Sequence, residues 1–280
     1  MTAPTPATGG PTIGVFDSGF GGLTVLRALV AHMPHARYAF IGDTARLPYG
    51  SKSRRTIARY AVESAQFLVN EQGAEFLVIA CNTASALALD AIQDAVSVPV
   101  LGVIEPGATA AAAASQSKDV LVLATDATVQ SHAYRAACNA RSLRALEKAC
   151  PLLVPLVEEG WTDHKVTNEV IRIYLDELNA AAAAEGLQPD TLVLGCTHYP
   201  LLRPLIERAA PPGMSVIDSA ESTADAAVAL INGRTANNPS PASDTEIACF
   251  ATDSVEKFER LGSRFLGRPV GNVTLVDLGG

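Results

Sequence analysis

Short, unbroken apolar runs recur along this chain, and longer amphipathic stretches separate them. The runs are TIGVF (12–16), YAFIG (38–42), FLVIA (76–80), VPVLGV (98–103), DVLVLA (119–124), TLVLG (191–195), MSVID (214–218) and EIACF (246–250). Strands without polar alternation are strands covered on both faces, as in a parallel sheet flanked by helices. The stretches between them have helical period. SRRTIARYAVESAQFLVNE puts Ile57, Tyr60, Ala61, Ser64, Phe67 and Leu68 on one face, and NEVIRIYLDELNAAAA does the same with Val170, Ile173, Tyr174 and Leu178. This alternation predicts an α/β fold of parallel strands joined by crossover helices.

No Gly/Ser-rich linker cuts the 280 residues in the middle, so the length fits one large domain or two ordinary ones. TANNPSPASD (235–244) is the loosest internal stretch and reads as a loop or hairpin excursion. The alanine runs at 110–114 and 180–184 are helix formers, not linkers. Hydrophobic residues at 48% against 18% charged supply material for real cores. The net charge of −8 argues against a nucleic-acid partner, because phosphate binding wants clustered Lys and Arg. The one basic cluster, SKSRR (51–55), reads as the opening of a solvated helix face. No segment offers about 20 apolar residues without a charge, so no membrane span is expected. The opening MTAPTPATGGPT has neither a basic nor an apolar signal region, and residues 1–11 read as a disordered tail. Five widely spread cysteines without a CxxC pair suit a cytosolic chain with free thiols, and argue against structural zinc or any metal site.

Two of those cysteines stand apart. LVIACNT and LVLGCTH are strands that end in Cys81 and Cys196, 115 positions apart, each followed by small polar residues. GVFDSG and LVLATDAT form a fainter pair of the same kind. Two similar α/β units facing each other would bring all four strand ends to one cleft, since ligands bind at the carboxyl ends of strands in open α/β sheets. A thiol at a helix N-terminus faces free N–H groups and the positive end of the helix dipole. Such a position predicts a thiol pKa lowered from about 8.5 toward neutrality. Cys138, Cys150 and Cys249 lack this context and read as structural.

Two thiols on opposite walls suit removal of a proton from one face of a carbon and its return to the other. One must be ionised while the other is protonated, so the pair titrates as a coupled system. Asn82, Thr83, Thr197 and Ser18 offer neutral donors and acceptors for the substrate beside them. In FDSGFGG (16–22), Asp17 and Ser18 sit at a strand end and glycines open the next helix. It is no full GxGxxG, since Thr24 stands where the last glycine should be; a tight turn explains it as well as an anion cradle does. Asp17 and His198 are candidates to orient a thiol or a substrate ammonium. His198 lies two residues past Cys196, so in extended backbone both would point the same way. GDTARLPYG (42–50) predicts a tight turn with Tyr49 and Gly50 at the cleft edge, against the plainer reading of a turn with a surface Tyr. Thr125, Thr128 and Glu158 are secondary candidates; Glu158 and Glu159 in PLVEEG (155–160) otherwise read as solvated charge. Lys52, Lys118, Lys148, Lys165 and Lys257 all stand in polar settings, so none is placed for a Schiff base, and the expected chemistry uses no cofactor.

The motifs GVFDSGFGGLTV, GDTARLPYG, ACNTAS, ATDATVQSHAY, PLVEEG and GCTHYPLL, spanning residues 14–202, with FLG at 265–267, resemble the glutamate racemases of the cofactor-independent aspartate/glutamate racemase superfamily. Leu47 stands where that family's pattern has Val. The related aspartate racemases carry Glu after GCT, so His198 favours glutamate. The resemblance implies two flavodoxin-like parallel-sheet domains related by pseudo-twofold symmetry, with the active site in the cleft between them. It places 12–104 plus 218–280 in the first domain and 105–217 in the second. It implies that Cys81 takes the α-proton of D-glutamate and Cys196 that of L-glutamate. Asp17, Ser18, Tyr49, Gly50, Asn82, Thr83, Thr197 and His198 would line the substrate site. A homodimer is expected, and the D-glutamate made would be a precursor of peptidoglycan. Three other readings stay open on the residues alone: another small amino acid as substrate, a thiol hydrolase using Cys196 and His198, and a two-lobed binding protein without catalysis.

Overall fold

The computed structural model of the chain describes residues 10–232 and 245–279. Most of the expected N-terminal tail and the excursion at 235–244 lie outside the described residues. Ten strands are present among the described residues: β1 (Thr12–Asp17), β2 (Arg37–Gly42), β3 (Phe76–Ile79), β4 (Val100–Gly102), β5 (Asp119–Ala124), β6 (Arg144–Ala149), β7 (Thr191–Gly195), β8 (Ser215–Asp218), β9 (Ile247–Ala251) and β10 (Val273–Leu275). They form two sheets, six strands in the order β10-β9-β2-β1-β3-β4 and four in the order β6-β5-β7-β8. Every pairing is parallel.

The unbroken apolar runs have the expected cause. All residues of β1, β5 and β7 are buried, because helices cover both faces. The two sheets also share one winding. Numbered within its own unit, each contains the order second-first-third-fourth, and the first sheet adds β9 and β10 outside its second strand. That is the flavodoxin-like order. In it β3 and β7 are equivalent third strands, and β1 and β5 equivalent first strands.

Two strands escaped the pattern. β6, RALEKA, edges the second sheet and buries only Ala145 and Leu146, so its charged residues broke the apolar run. β10 is a three-residue edge strand. The helix Arg54–Asn70 buries Ile57, Ala61, Ser64, Phe67 and Leu68 as expected, with Ser53 accepting from the Thr56 N–H as its cap. The helix Lys165–Ala184 corrects the expected face. Its buried stripe is Thr167, Ile171, Leu175, Leu178 and Ala182, and Ile173 is 49% exposed. Thr167, on the buried side, donates to the Trp161 carbonyl at 2.7 Å, and Ile173 is left facing outward. Both alanine runs close helices, Ile104–Ala114 and Lys165–Ala184. Among the described residues, no helix is long and apolar enough to cross a membrane, and no group of three or more His, Cys, Asp or Glu could hold a metal ion.

Candidate active site

The carboxyl ends of β1, β3, β5 and β7 meet in one cavity of about 700 Å³. The first sheet supplies Ser18, Cys81, Asn82 and Thr83 to its wall, and the second supplies Thr125, Cys196, Thr197 and His198. Tyr49 and Gly50 close one side from the turn Tyr49–Ser51. Glu158 and Glu159 reach in from the end of the helix Leu153–Glu158.

Cys81 is the N-cap of the six-residue helix Asn82–Leu87. The Ala84 N–H donates to its sulfur at 3.4 Å, and the thiol donates to the Ser18 hydroxyl at 3.4 Å. Cys196 is held differently. After β7 the chain turns through Cys196, Thr197 and His198, passes a single 3-10 turn at Tyr199–Leu202, and enters a helix only at Arg203. Pro200 and Pro204 lack the N–H groups that would extend a helix back to the thiol. The expected helix N-terminus is therefore present at Cys81 and absent at Cys196, whose sulfur instead receives the His198 main-chain N–H.

The expected direction of the thiol pKa values is also reversed. Burial pushes Cys81 up to about 11, and the charge of Asp17 adds to this, outweighing the donors from Ser18 and Ala84. Burial pushes Cys196 higher still, with Cys81 and Asp17 adding to it. The helix end is one turn and a half long, while desolvation acts on the whole sulfur. Both thiols belong to one electrostatic unit.

His198 is not in extended backbone but in a helical turn conformation. Its Nε2 meets Glu158 Oε1 at 3.3 Å, and Lys257 Nζ holds the other Glu158 oxygen at 3.2 Å. Burial raises the Glu158 carboxyl, but His198 and Lys257 outweigh it and hold the group below its usual range. The His198 ring packs edge-on to Phe265, with centroids 5.0 Å apart. Asp17 does not line the cavity. It is 1% exposed, with Oδ2 accepting from the Gly19 N–H at 3.0 Å and a further hydrogen bond to Thr197. Burial raises its pKa, partly offset by the charge of His198. It sits behind the wall and supports Thr197 and His198.

The glycine stretch FDSGFGG serves as a contact between the two halves. A Cβ on Gly21 would lie 2.4 Å from Thr197 Oγ1 and 2.6 Å from His198 Nδ1. Thr24, in the place of the missing glycine, donates to the Thr197 carbonyl at 3.3 Å. Thr83, Thr125 and Thr128 form a ring of hydroxyls across the cleft floor, at 2.9 to 3.3 Å; Thr125 faces the cavity and Thr128 is buried beneath it. Tyr49 is buried, not a surface residue, and its hydroxyl donates to Asp43.

Several wall residues carried no signal in the sequence. Pro151, Val154 and Pro155 make an apolar patch, and Lys257 comes from a helix 61 positions beyond Cys196. Lys257 had read as a solvated lysine, and only the return of the chain to the first sheet brings it to the cavity. Its pairing with Glu158 is the one cue, and that pairing is tertiary.

Comparison with known proteins agrees with this geometry. The Asp/Glu/hydantoin racemase family pattern matches residues 22–227. The glutamate racemase of Koribacter versatilis is 53% identical, over 96% of this chain and 98% of its own. The crystal structure of the Thermus thermophilus glutamate racemase, in complex with β-chloro-D-alanine, is 40% identical with a TM-score of 0.84, covering 97% of this chain and 98% of that one. That of the Francisella tularensis enzyme, in complex with D-glutamate, is 32% identical with a TM-score of 0.85, covering 97% and 98%. The chain is an amino-acid racemase that belongs to the Asp/Glu/hydantoin racemase family and, within it, to the glutamate racemases.

Proposed function

We propose that the enzyme interconverts L- and D-glutamate by two-base proton transfer between Cys81 and Cys196, with no cofactor. The observation that carries this reading is the pair of thiols on equivalent third strands of two sheets, both lining one cavity. With D-glutamate bound, the Cys81 thiolate takes the α-proton and becomes a thiol. The electron pair left on Cα spreads into the α-carboxylate. Cys196, as thiol, then gives its proton to the opposite face and is left as thiolate. The reverse run starts from Cys196 with L-glutamate.

The protein's task is to ionise one buried thiol. The Ala84 N–H already points at Cys81 and the Ser18 hydroxyl can turn to donate, while the substrate ammonium brings a positive charge. Asn82, Thr83 and Thr197 supply neutral hydrogen-bonding groups for the carboxylates. The D-glutamate so made would serve peptidoglycan synthesis.

A thiol hydrolase fits less well. The His198 ring nitrogens meet Glu158 and Thr197, and its main-chain N–H is what meets Cys196. The test is racemisation of each glutamate enantiomer in deuterated water with Cys81→Ala and Cys196→Ala. Deuterium at Cα of the inverted product with wild type, and loss of inversion in each variant, is the expected result. Near-normal turnover by either variant refutes the two-base assignment. A panel of other amino acids, aspartate included, tests the substrate.

A further inference from the structure

Asn82 stands directly after the Cys81 base, and its side chain is 3% exposed. Its amide is only half used. The Tyr134 hydroxyl donates to Asn82 Oδ1 at 2.6 Å, and Nδ2 is buried without a partner. Buried donors are nearly always paired, so an unpaired N–H on a cavity wall marks where a ligand acceptor belongs.

Tyr134 itself comes from the other half of the molecule, on the helix Ala133–Asn139 that follows β5. It is fully buried. Its ring lies against Gly195, the residue before Cys196, where a Cβ would meet the ring at 2.8 Å. On its other side lies Gly107, where a Cβ would stand 3.4 Å from the ring and from the hydroxyl. Burial pushes the phenol pKa up, and the hydroxyl of Ser219, which is 4% exposed, lies near it and lowers it slightly against that larger effect. A phenol has one proton. That proton goes to Asn82, and only an amide oxygen can accept it. With Oδ1 taken by Tyr134, Nδ2 is the amide atom left over, on a residue that lines the cavity.

We infer that Tyr134 is a positioning residue that fixes the polarity of the Asn82 amide, so that this wall presents a donor to the α-carboxylate of the substrate. The inference rests on the proposed racemase reading. Because the same tyrosine ring packs under the Cys196 turn, it also sets the register between the two cysteine-bearing walls. Without the hydroxyl, nothing holds Oδ1 away from the cavity, and the amide is free to turn its oxygen to the carboxylate, which repels it and forfeits the donated hydrogen bond.

The experiment is a double-mutant cycle of Tyr134→Phe and Asn82→Ala, read as KM and kcat for glutamate, with melting temperature followed in parallel. Phenylalanine keeps the ring between the two glycines. Tyr134→Phe is expected to raise KM about 10-fold in the wild-type background, the scale of a lost hydrogen bond to a charged group, with a smaller fall in kcat. In the Asn82→Ala background the same change is expected to alter kcat/KM less than about 2-fold. An equal loss in both backgrounds overturns the inference, because a merely structural tyrosine acts without Asn82. No loss in the wild-type background also overturns it. Asn82→Asp provides an arm that leaves Tyr134 in place. The hydroxyl still donates to the side chain, the atom facing the cavity becomes an acceptor, and KM is expected to rise about 100-fold or more with the fold retained. A KM within about 3-fold of wild type overturns the inference. Failure of the wild-type enzyme to racemise glutamate refutes the functional reading instead, and is seen before any variant is compared.

Discussion

In the free enzyme the active thiols are protonated at neutral pH, and direct titration tests this. Burial holds Cys81 at about 11 and Cys138 at about 11, and Cys150 and Cys249 at about 12, with Cys196 above them. Ionising Cys81 at pH 7 then costs about 5.5 kcal/mol, four pKa units at about 1.4 kcal/mol each. Hydrogen bonds to a charged group contribute roughly 1.5–3 kcal/mol each. The Ala84 and Ser18 hydrogen bonds already act on that value, so the remaining gap falls to the incoming substrate, whose ammonium brings a charge-assisted contact to the sulfur. Thiolate absorbance near 240 nm is the assay, recorded for wild type and Cys81→Ala across pH 6 to 12. No thiolate signal is expected below pH 9, and the difference between the two proteins should rise with a midpoint near 11. A component below pH 9 that disappears in Cys81→Ala refutes the argument, and shows that the helix end outweighs burial. The same shift acts on stability. The folded pKa lies above the ordinary value of 9.0, so the contribution of Cys81 is whole below pH 9 and is lost as pH rises toward 11. Two units correspond to roughly 3 kcal/mol, so Cys81→Ala should flatten the alkaline fall in unfolding free energy measured in urea.

Other perturbations address the contacts between the halves. Gly21→Ala places a methyl group 2.4 Å from Thr197 Oγ1 and 2.6 Å from His198 Nδ1, so it should lower kcat/KM about 100-fold and the melting temperature by several degrees. Unchanged kinetics would show that the two walls can part at no cost. Glu158→Gln keeps the shape but removes the charge between His198 and Lys257, and a fall of about 10-fold in kcat/KM is expected. Because Glu158 is held below the ordinary carboxylate value, the wild-type rate should show no limb from it above pH 4.5, and a limb there that vanishes in Glu158→Gln contradicts the pairing.

Much of the site was legible because it is local. Strand ends carry Asp17, Cys81, Thr125 and Cys196, and a strand end can be read from the point where an apolar run stops. The likeness of LVIACNT and LVLGCTH likewise needed only the residues, and the sheet order makes the two the ends of equivalent third strands. What was misread involved long-range packing. β6 lies at an edge and shows its charges, the buried face of Lys165–Ala184 is set by what packs against it, and Lys257 reaches the cavity only through the return of the chain.

The chain's residues by themselves determined the alternation of strands and helices and the chemical groups at the strand ends, because hydrophobic period and strand-end residues act over a few positions. The tertiary structure alone decided the state of those groups. Desolvation depends on everything packed around an atom, so a helix end that would lower an exposed thiol's pKa does not do so for Cys81. Hydrogen-bond direction depends on the partner, so the polarity of Asn82 is set by Tyr134, 52 positions further along the chain.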